Sequence, residues 1–369
     1  MSVPERSSEA SDLRMRVVIA GGGTGGHVIP ALCVAEALRE RGAEVVFFGS
    51  ESGLERALVP EAGFELHALP LAGLAGGPVR RARALVLFAR AVVRCRSLLG
   101  RLRPGAVLGV GGYASAPAVA AARSLGISTF IHEQNSVPGK VNRAAGRLVR
   151  EVLVAFPDAA RRFGRSVRAV HVGMPTRRQL FQATREEALR RLGLEPPVVL
   201  VFGGSGGALN INLAAAEAFG ESTPYSVVQI AGRRDFPRLS TRNPRHRILE
   251  YAGNIWDYLA AADVVVIRGG AGSLFDVAAV GRAAIVVPYP HHRDDQQLLN
   301  ARYFVERGAA ELLPDREVDA KTLRARVEEL LGDDEGRRAL ASSMRSLATP
   351  RAAEEVAGRM LAAGREGTG

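Results

Sequence analysis

The sequence predicts an α/β fold with two Rossmann-like halves in tandem, on three observations. Short apolar runs alternate with amphipathic stretches along most of the chain. Two of those runs end in glycine clusters that lead into a helical pattern. The length, 369 residues, corresponds to about two domains of ordinary size. Hydrophobic residues at 47% and charged residues at 24% give the balance of a globular chain, which excludes wholesale disorder and a fibrous architecture.

Residues 15–20 (MRVVIA) read as the first strand, followed by glycines and a helix over 28–41. Strands follow at 45–48, 107–110, 129–131 and 152–155, with helical spacing between them, which implies a parallel sheet with right-handed crossovers. The alternation restarts after Gly173 with a strand at 198–202 (VVLVF), more glycines, a helix from about Ala208, and strands at 226–230, 264–267 and 284–287. From Val318 onward the chain reads as helices, the last over 352–363. The expected division is 13–172, 173–345 and a terminal helix in 346–369 that returns to the first half.

The net charge of +11 is unevenly placed. Residues 1–170 carry 23 Lys or Arg against 13 Asp or Glu, whereas the remainder carries 26 against 25. Between Leu66 and His132 there are nine arginines and no acid. Such a face suits nucleic acid, anionic lipid or a phosphorylated substrate, and charge alone does not choose among them. With lysine present only as Lys140 and Lys321, the arginine excess also reflects base composition. At 100° per residue, Leu85, Phe88, Val92, Cys95 and Leu99 fall on one face of a helix and Arg80, Arg83, Arg90, Arg94 and Arg101 on the other, with Leu87 and Leu98 on the arginine side. The bland reading is a surface helix with its apolar face on the sheet. A basic face with apolar points also suits an anionic membrane surface.

No run reaches the ~18 to 20 apolar residues of a membrane-spanning helix, and residues 1–13 lack the apolar core of a signal peptide, so the chain is expected to stay in the cytoplasm. Cys33 and Cys95 lie apart in helical contexts and read as reduced core residues.

Residues 21–26 (GGGTGG) match G-x-G-x-x-G after a strand, either a phosphate-binding loop or a plain tight turn. A nicotinamide-binding reading would need an acid at the end of the second strand, and Glu51, the nearest, comes late. A second loop, 203–207 (GGSGG), and a third, 269–273 (GGAGS), suggest two phosphorylated ligands meeting in a cleft rather than one dinucleotide. Asp276 lies three residues after Ser273 on one helical face, placed either to accept from a ribose diol or simply to stabilise a helix N-terminus.

Six segments in order, 21–30 (GGGTGGHVIP), 109–117 (GVGGYASAP), 132–135 (HEQN), 203–208, 268–276 and 288–301 (PYPHHRDDQQLLNA), resemble the MurG family of UDP-N-acetylglucosamine transferases. The resemblance spans about residues 15 to 360. It implies a GT-B fold, two Rossmann-like domains facing across a cleft, and an inverting transfer that uses no metal and no cofactor. GlcNAc would pass from UDP-GlcNAc to the 4-hydroxyl of MurNAc in undecaprenyl-pyrophosphoryl-MurNAc-pentapeptide, at the cytoplasmic face of the membrane. HEQN and GVGGYASAP favour this family over GT-B enzymes with other lipid or natural-product acceptors. The chain shows no RNP, zinc-finger or aromatic stacking signature of nucleic-acid binding.

By the same resemblance, Thr24, Gly25 and Gly26 border the donor sugar, and Gly22, Gly23 and Thr24 with Gly111, Gly112 and Tyr113 border the acceptor diphosphate. Asn135 contacts GlcNAc, Arg177 stands near the nucleotide, Ser205 meets the α-phosphate, and the backbone at Ala252 reads the uracil. Ala271, Gly272, Ser273 and Asp276 hold sugar and ribose, and Gln296, Gln297 and Asn300 approach the sugar hydroxyls. The family's usual Asn, Gln and Glu are replaced here by Met174, Gly206 and Asp276, the last keeping a carboxylate with a shorter reach. His27, where the first loop enters a helix, is the candidate base; its plainer role is to cap the loop or hydrogen-bond the acceptor. His291 and His292 lack the i, i+4 spacing of a helical metal pair, and Asp294 and Asp295 read as a helix cap.

Overall fold

The computed structural model describes residues 14–71, 77–204, 207–291 and 294–366, with backbone only for 78–82. The first half runs β1 (Arg16–Ala20), α1 (Gly25–Glu40), β2 (Glu44–Ser50), α2 (Glu55–Glu61), β3 (Glu65–Leu69), α3 (Pro78–Leu102) and β4 (Ala106–Gly109). It continues through α4 (Ser115–Ser124), β5 (Ser128–Glu133), α5 (Lys140–Ala145), β6 (Glu151–Val154), α6 (Pro157–Arg162) and β7 (Ala169–His171). The second half runs α7 (Arg178–Gln182), α8 (Arg185–Leu192), β8 (Val198–Phe202), α9 (Leu209–Phe219), β9 (Ser226–Ile230), β10 (His246–Leu249) and α10 (Ile255–Ala261). It closes with β11 (Val264–Arg268), α11 (Ala271–Val280), β12 (Ala283–Val287), α12 (Gln296–Val305), β13 (Glu311–Leu312), α13 (Ala320–Gly332), α14 (Asp334–Ser346) and α15 (Ala352–Glu366).

The strands form two parallel sheets of order β3-β2-β1-β4-β5-β6-β7 and β10-β9-β8-β11-β12-β13. In each, the strand order reverses beside the half's first strand, between β1 and β4 and between β8 and β11. Open parallel sheets bind ligands outside the carboxyl ends of the strands at that reversal. The glycine loops lie there because they follow β1, β4, β8 and β11. Strands β3, β7, β10 and β13, short and at or near the sheet edges, were not read from sequence, since edge strands lack the continuous apolar run of a strand buried on both faces.

The central strands are buried end to end, except for Arg16 at the start of β1. On one side of the first sheet, α15 returns from the end of the chain and places Ala353, Val356, Ala357, Met360 and Ala363 against Val17, Ile19 and Val34. Between the halves, Phe156, just past β6, stacks edge-on against Phe275 of α11 and Tyr303 of α12, each 5.2 Å away between ring centroids. The Arg178 guanidinium on α7 pairs with Glu40 at the end of α1 and with Glu354 of α15, at 3.4 Å.

Helix α3 is turned from its predicted phase by roughly 50° at 100° per residue. Its buried stripe is Ala84, Ala91, Cys95, Leu98 and Leu99, the last three packed in one core with Ala118, Ala121 and Ala122 of α4. Small residues on both helices allow that close approach, so Leu98, expected on the membrane side, is inside. Leu85 and Phe88, expected on the sheet, are outside, Leu85 being 60% exposed. Val86 and Val93 join Leu85 as an exposed apolar strip beside Arg83, Arg90, Arg94 and Arg101, and Leu87 is half-buried. The Arg80 side chain lies outside the described residues. Cys33 and Cys95 are free and buried. No helix among the described residues is long and apolar enough to cross a membrane.

Candidate active site

The first loop is shaped by a residue the sequence reading passed over. Glu55, at the start of α2, is 1% exposed and its carboxylate accepts from the Gly23 N–H at 2.7 Å, the Ser50 N–H at 2.8 Å and the Ser50 hydroxyl at 2.7 Å. Burial pushes this carboxyl up, but those donors outweigh it and hold the group below its ordinary range. A side chain on Gly22, Gly49 or Gly53 would collide with Glu55. Gly22 is buried against the carboxylate and the Gly23 N–H is spent on it. Of the residues expected to border the acceptor diphosphate, Gly22 is thus buried, while Gly23 is exposed but has its N–H occupied by an internal anion.

His27, in the first turn of α1, is half-buried, with Nδ1 3.2 Å from the exposed Thr24 hydroxyl. Burial lowers its pKa, opposed by a hydrogen bond to the Gly22 backbone and by the charge of Glu55. Gly111 closes the other side, since a Cβ there would stand 3.0 Å from His27 Nε2. Gly112 abuts the Gly22 carbonyl, and Tyr113 is half exposed at the rim. Gly25 and Gly26 open α1, where first-turn N–H groups have no partner within the helix.

The HEQN segment ends β5. His132 is buried, bonded through Nε2 to the Gly173 carbonyl at 3.1 Å, and burial lowers its pKa to about 4. Glu133 accepts from the N–H groups of Asn135 and Gly139 and from the Asn142 amide, at 3.0, 2.9 and 2.9 Å, fixing the turn that presents Asn135. Burial still raises the Glu133 pKa.

Asn300, expected among the groups that meet sugar hydroxyls, is fully buried. Its carbonyl accepts from the Ser136 N–H and hydroxyl, both at 2.9 Å, and its amide donates to Asn135 Oδ1 and the Gly269 carbonyl, both at 3.2 Å. All its bonding capacity is used, so it staples HEQN to the third glycine loop rather than facing a ligand. Its neighbours Gln296 and Gln297 are half-buried, the first donating to the Val137 carbonyl at 3.5 Å and the second accepting from the Tyr289 N–H at 3.0 Å.

In the second half the loop after β11 passes through Gly269 and Gly270 into α11. Neither a side-chain cap nor an acid occupies its first turn, which leaves the N–H groups at Ala271, Gly272 and Ser273 open to an anion. One turn on, Asp276 is held at a pKa of about 6 by burial, opposed by the charge of Arg177 at the head of α7. The charges of both reach Cys33 on α1, so the two halves face each other here; the thiol itself is pushed up to about 12, chiefly by burial. Ala252 lies half-buried in the loop after β10. Ser205 and Gly206, and His292 with Arg293, lie outside the described residues. Asp295 occupies the N-cap of α12, its carbonyl accepting from the Leu299 N–H at 2.9 Å, but its side chain makes no cap hydrogen bond. Arg268, buried, pairs with Asp315 and donates to the Val287 carbonyl at 3.2 Å, anchoring the strand end that launches the loop. Among the described residues no three His, Cys, Asp or Glu side chains are grouped to hold a metal ion.

Residues 17–154 match the glycosyltransferase family 28 N-terminal domain and residues 198–356 the family 28 C-terminal domain. The UDP-N-acetylglucosamine–N-acetylmuramyl-(pentapeptide) pyrophosphoryl-undecaprenol N-acetylglucosamine transferase of Rubrobacter xylanophilus is 87% identical over 336 residues, covering 91% of this chain and 100% of that protein. Its counterpart from Desulforudis audaxviator is 38% identical over 360 residues, 93% of this chain and 96% of that protein. The crystal structure of Acinetobacter baumannii MurG superposes with a TM-score of 0.75 at 29% identity, covering 94% of this chain and 99% of that one. The two GT-B halves, the ordered loops around their facing ends and this identity across the length of a curated relative together place the chain in the MurG family of family 28 glycosyltransferases.

Proposed function

We infer that the chain transfers GlcNAc from UDP-GlcNAc to the 4-hydroxyl of MurNAc in undecaprenyl-pyrophosphoryl-MurNAc-pentapeptide, a step of peptidoglycan synthesis. The 87% identity over the full length of a protein bearing that name carries the reading. In the reaction the acceptor oxygen bonds to C1 of GlcNAc as the C1–O bond to UDP breaks with inversion, and UDP leaves with the electron pair. The hydroxyl proton goes to His27, whose depressed pKa keeps the ring neutral and able to accept it. Negative charge growing on the leaving diphosphate meets the open N–H groups at the start of α11. Asp276 takes the ribose hydroxyls, Asn135, Gln296 and Gln297 the sugar, Arg177 stands near the nucleotide, Ser205 meets the α-phosphate, and the backbone at Ala252 reads the uracil.

The domain assignment follows the two sheets. Residues 13–172 bind acceptor and membrane surface, 173–345 bind the donor, and 346–369 close back on the first domain. The exposed apolar strip of α3 with its arginines supports a peripheral position on the cytoplasmic face of the membrane, where a lipid acceptor is found. Transfer of radiolabelled GlcNAc from UDP-GlcNAc to a lipid-linked MurNAc-pentapeptide acceptor tests donor, acceptor and reaction together; no labelled lipid product would overturn the reading.

A further inference from the structure

We infer that Glu55 is a positioning residue for the transfer, a resident carboxylate that takes the anion position of the first glycine loop, sets the loop's shape and confines an incoming phosphate to the start of α1. The geometry for this is redundant. Three donors from two segments, the Gly23 N–H, the Ser50 N–H and the Ser50 hydroxyl, converge on a side chain that is 1% exposed. Three glycines from three segments, Gly22, Gly49 and Gly53, leave free the space that the carboxylate fills. A strand-to-helix loop that binds phosphate through its glycines keeps its N–H groups free. Here the Gly23 N–H is occupied by charge of the same sign as a phosphate, and a second anion at Gly22 and Gly23 would be repelled. The N–H groups at Gly25 and Gly26 remain for it, in the same first turn of α1 as His27.

This rests on reading the first loop as the acceptor side of a glycosyl transfer. Glu55 touches no reacting atom in that reading. It acts through the loop and through the charge it presents to His27, which is also faced by the Thr24 hydroxyl, the Gly22 backbone, Gly111 and His132.

The test compares wild type, Glu55→Gln and Ser50→Ala in the transfer assay, with Tm and amide hydrogen exchange measured alongside. Glu55→Gln keeps the volume but loses the charge and one acceptor. It is expected to lower kcat about tenfold, to leave the KM for UDP-GlcNAc within twofold, to move the acid limb of kcat to lower pH, and to speed exchange at residues 21–26 only. An unchanged kcat and acid limb in a folded Glu55→Gln protein would overturn the proposal, as would equal losses for donor and acceptor. Ser50→Ala retains the carboxylate and removes one of its three donors, which keeps the question answerable if Glu55→Gln does not fold. A twofold to fivefold fall in kcat at constant donor KM is then expected, and wild-type kcat would overturn the role. Faster exchange confined to 21–26 in a chain that transfers no GlcNAc at all would uphold the bracing while refuting the acceptor reading, so the two fail separately.

Discussion

The hydroxyl of Thr24 lies 3.2 Å from Nδ1 of His27, and this pair marks where the exposed first loop meets the half-buried head of α1. In the proposed transfer the imidazole beside Thr24 takes the acceptor's proton. His27→Ala is therefore expected to lower turnover by about 10²-fold or more while UDP-GlcNAc binding survives. Steady-state kinetics together with calorimetric titration of UDP-GlcNAc check both halves of the statement, and near-normal turnover would remove His27 from the chemistry.

The pH dependence follows in sign. A base works in its neutral form, and burial holds His27 below the ordinary histidine value of 6.5. Turnover is expected to stay level as pH falls from 8 through 6.5 and to decline only below that point. A kcat profile whose acid limb lies above pH 6.5 would contradict it. His132, at about 4, stays uncharged throughout this range and does not contribute a limb of its own.

Donor affinity is expected to carry a different limb. The half-buried Asp276 has its pKa raised to about 6 by loss of hydration, with only the Arg177 charge in opposition. Ribose hydroxyls donating to it favour the ionised form, so the pKa falls on binding and affinity drops as pH decreases below about 6, by at most about tenfold per pH unit. Isothermal titration of UDP-GlcNAc between pH 5 and 7.5 measures the slope. Asp276→Asn is expected to weaken binding and flatten the profile; an unaltered slope would show that another group titrates.

The parts of this molecule that were legible in the sequence are those where one segment alone dictates the outcome. A buried parallel strand such as 198–202 must be an unbroken apolar run, and a glycine cluster directly after it must be a sharp turn into a helix. The rest depends on partners far along the chain. Glu55 is one of two acids in the ordinary-looking stretch ESGLER, and only the fold brings the Gly23 N–H to it. Asn300 reads as a ligand amide in QQLLNA, yet the packing of α12 against HEQN turns it inward. The phase of α3 departs from the expected one because hydrophobicity alone does not weigh size: the small Ala84 and Ala91 are buried, and the larger Leu85 is left outside.

Asn300→Ala is expected to behave as a stability mutation first. It leaves the Ser136 N–H and the Gly269 carbonyl without their partner in a buried position, at a cost of about 2–3 kcal/mol. Urea denaturation should show the loss, with the donor KM rising only through loosening of the HEQN turn at Asn135. A variant as stable as wild type, with donor binding abolished, would return Asn300 to the ligand.

On α3 the arrangement separates membrane contact from folding. Leu85, Val86 and Val93 are exposed, 60, 58 and 69%, next to Arg90 and Arg94, whereas Leu98 is buried against α4. Inserting an exposed apolar strip into the headgroup region removes it from water, and each nearby arginine adds about 1 kcal/mol at an anionic surface. Wild type is expected to bind phosphatidylglycerol-rich vesicles in cosedimentation, to ignore neutral vesicles and to detach as salt is raised. Arg90→Gln with Arg94→Gln should weaken binding by about 30-fold, and Leu85→Ser with Val93→Ser should weaken it at any salt concentration, both without change in Tm. Leu98→Ala should do the reverse, lowering Tm while vesicle binding persists, because the side chain it shortens supports the core of the helix pair. Equal binding to neutral and anionic vesicles, or loss of binding with Leu98→Ala alone, would move the membrane surface off this face of α3.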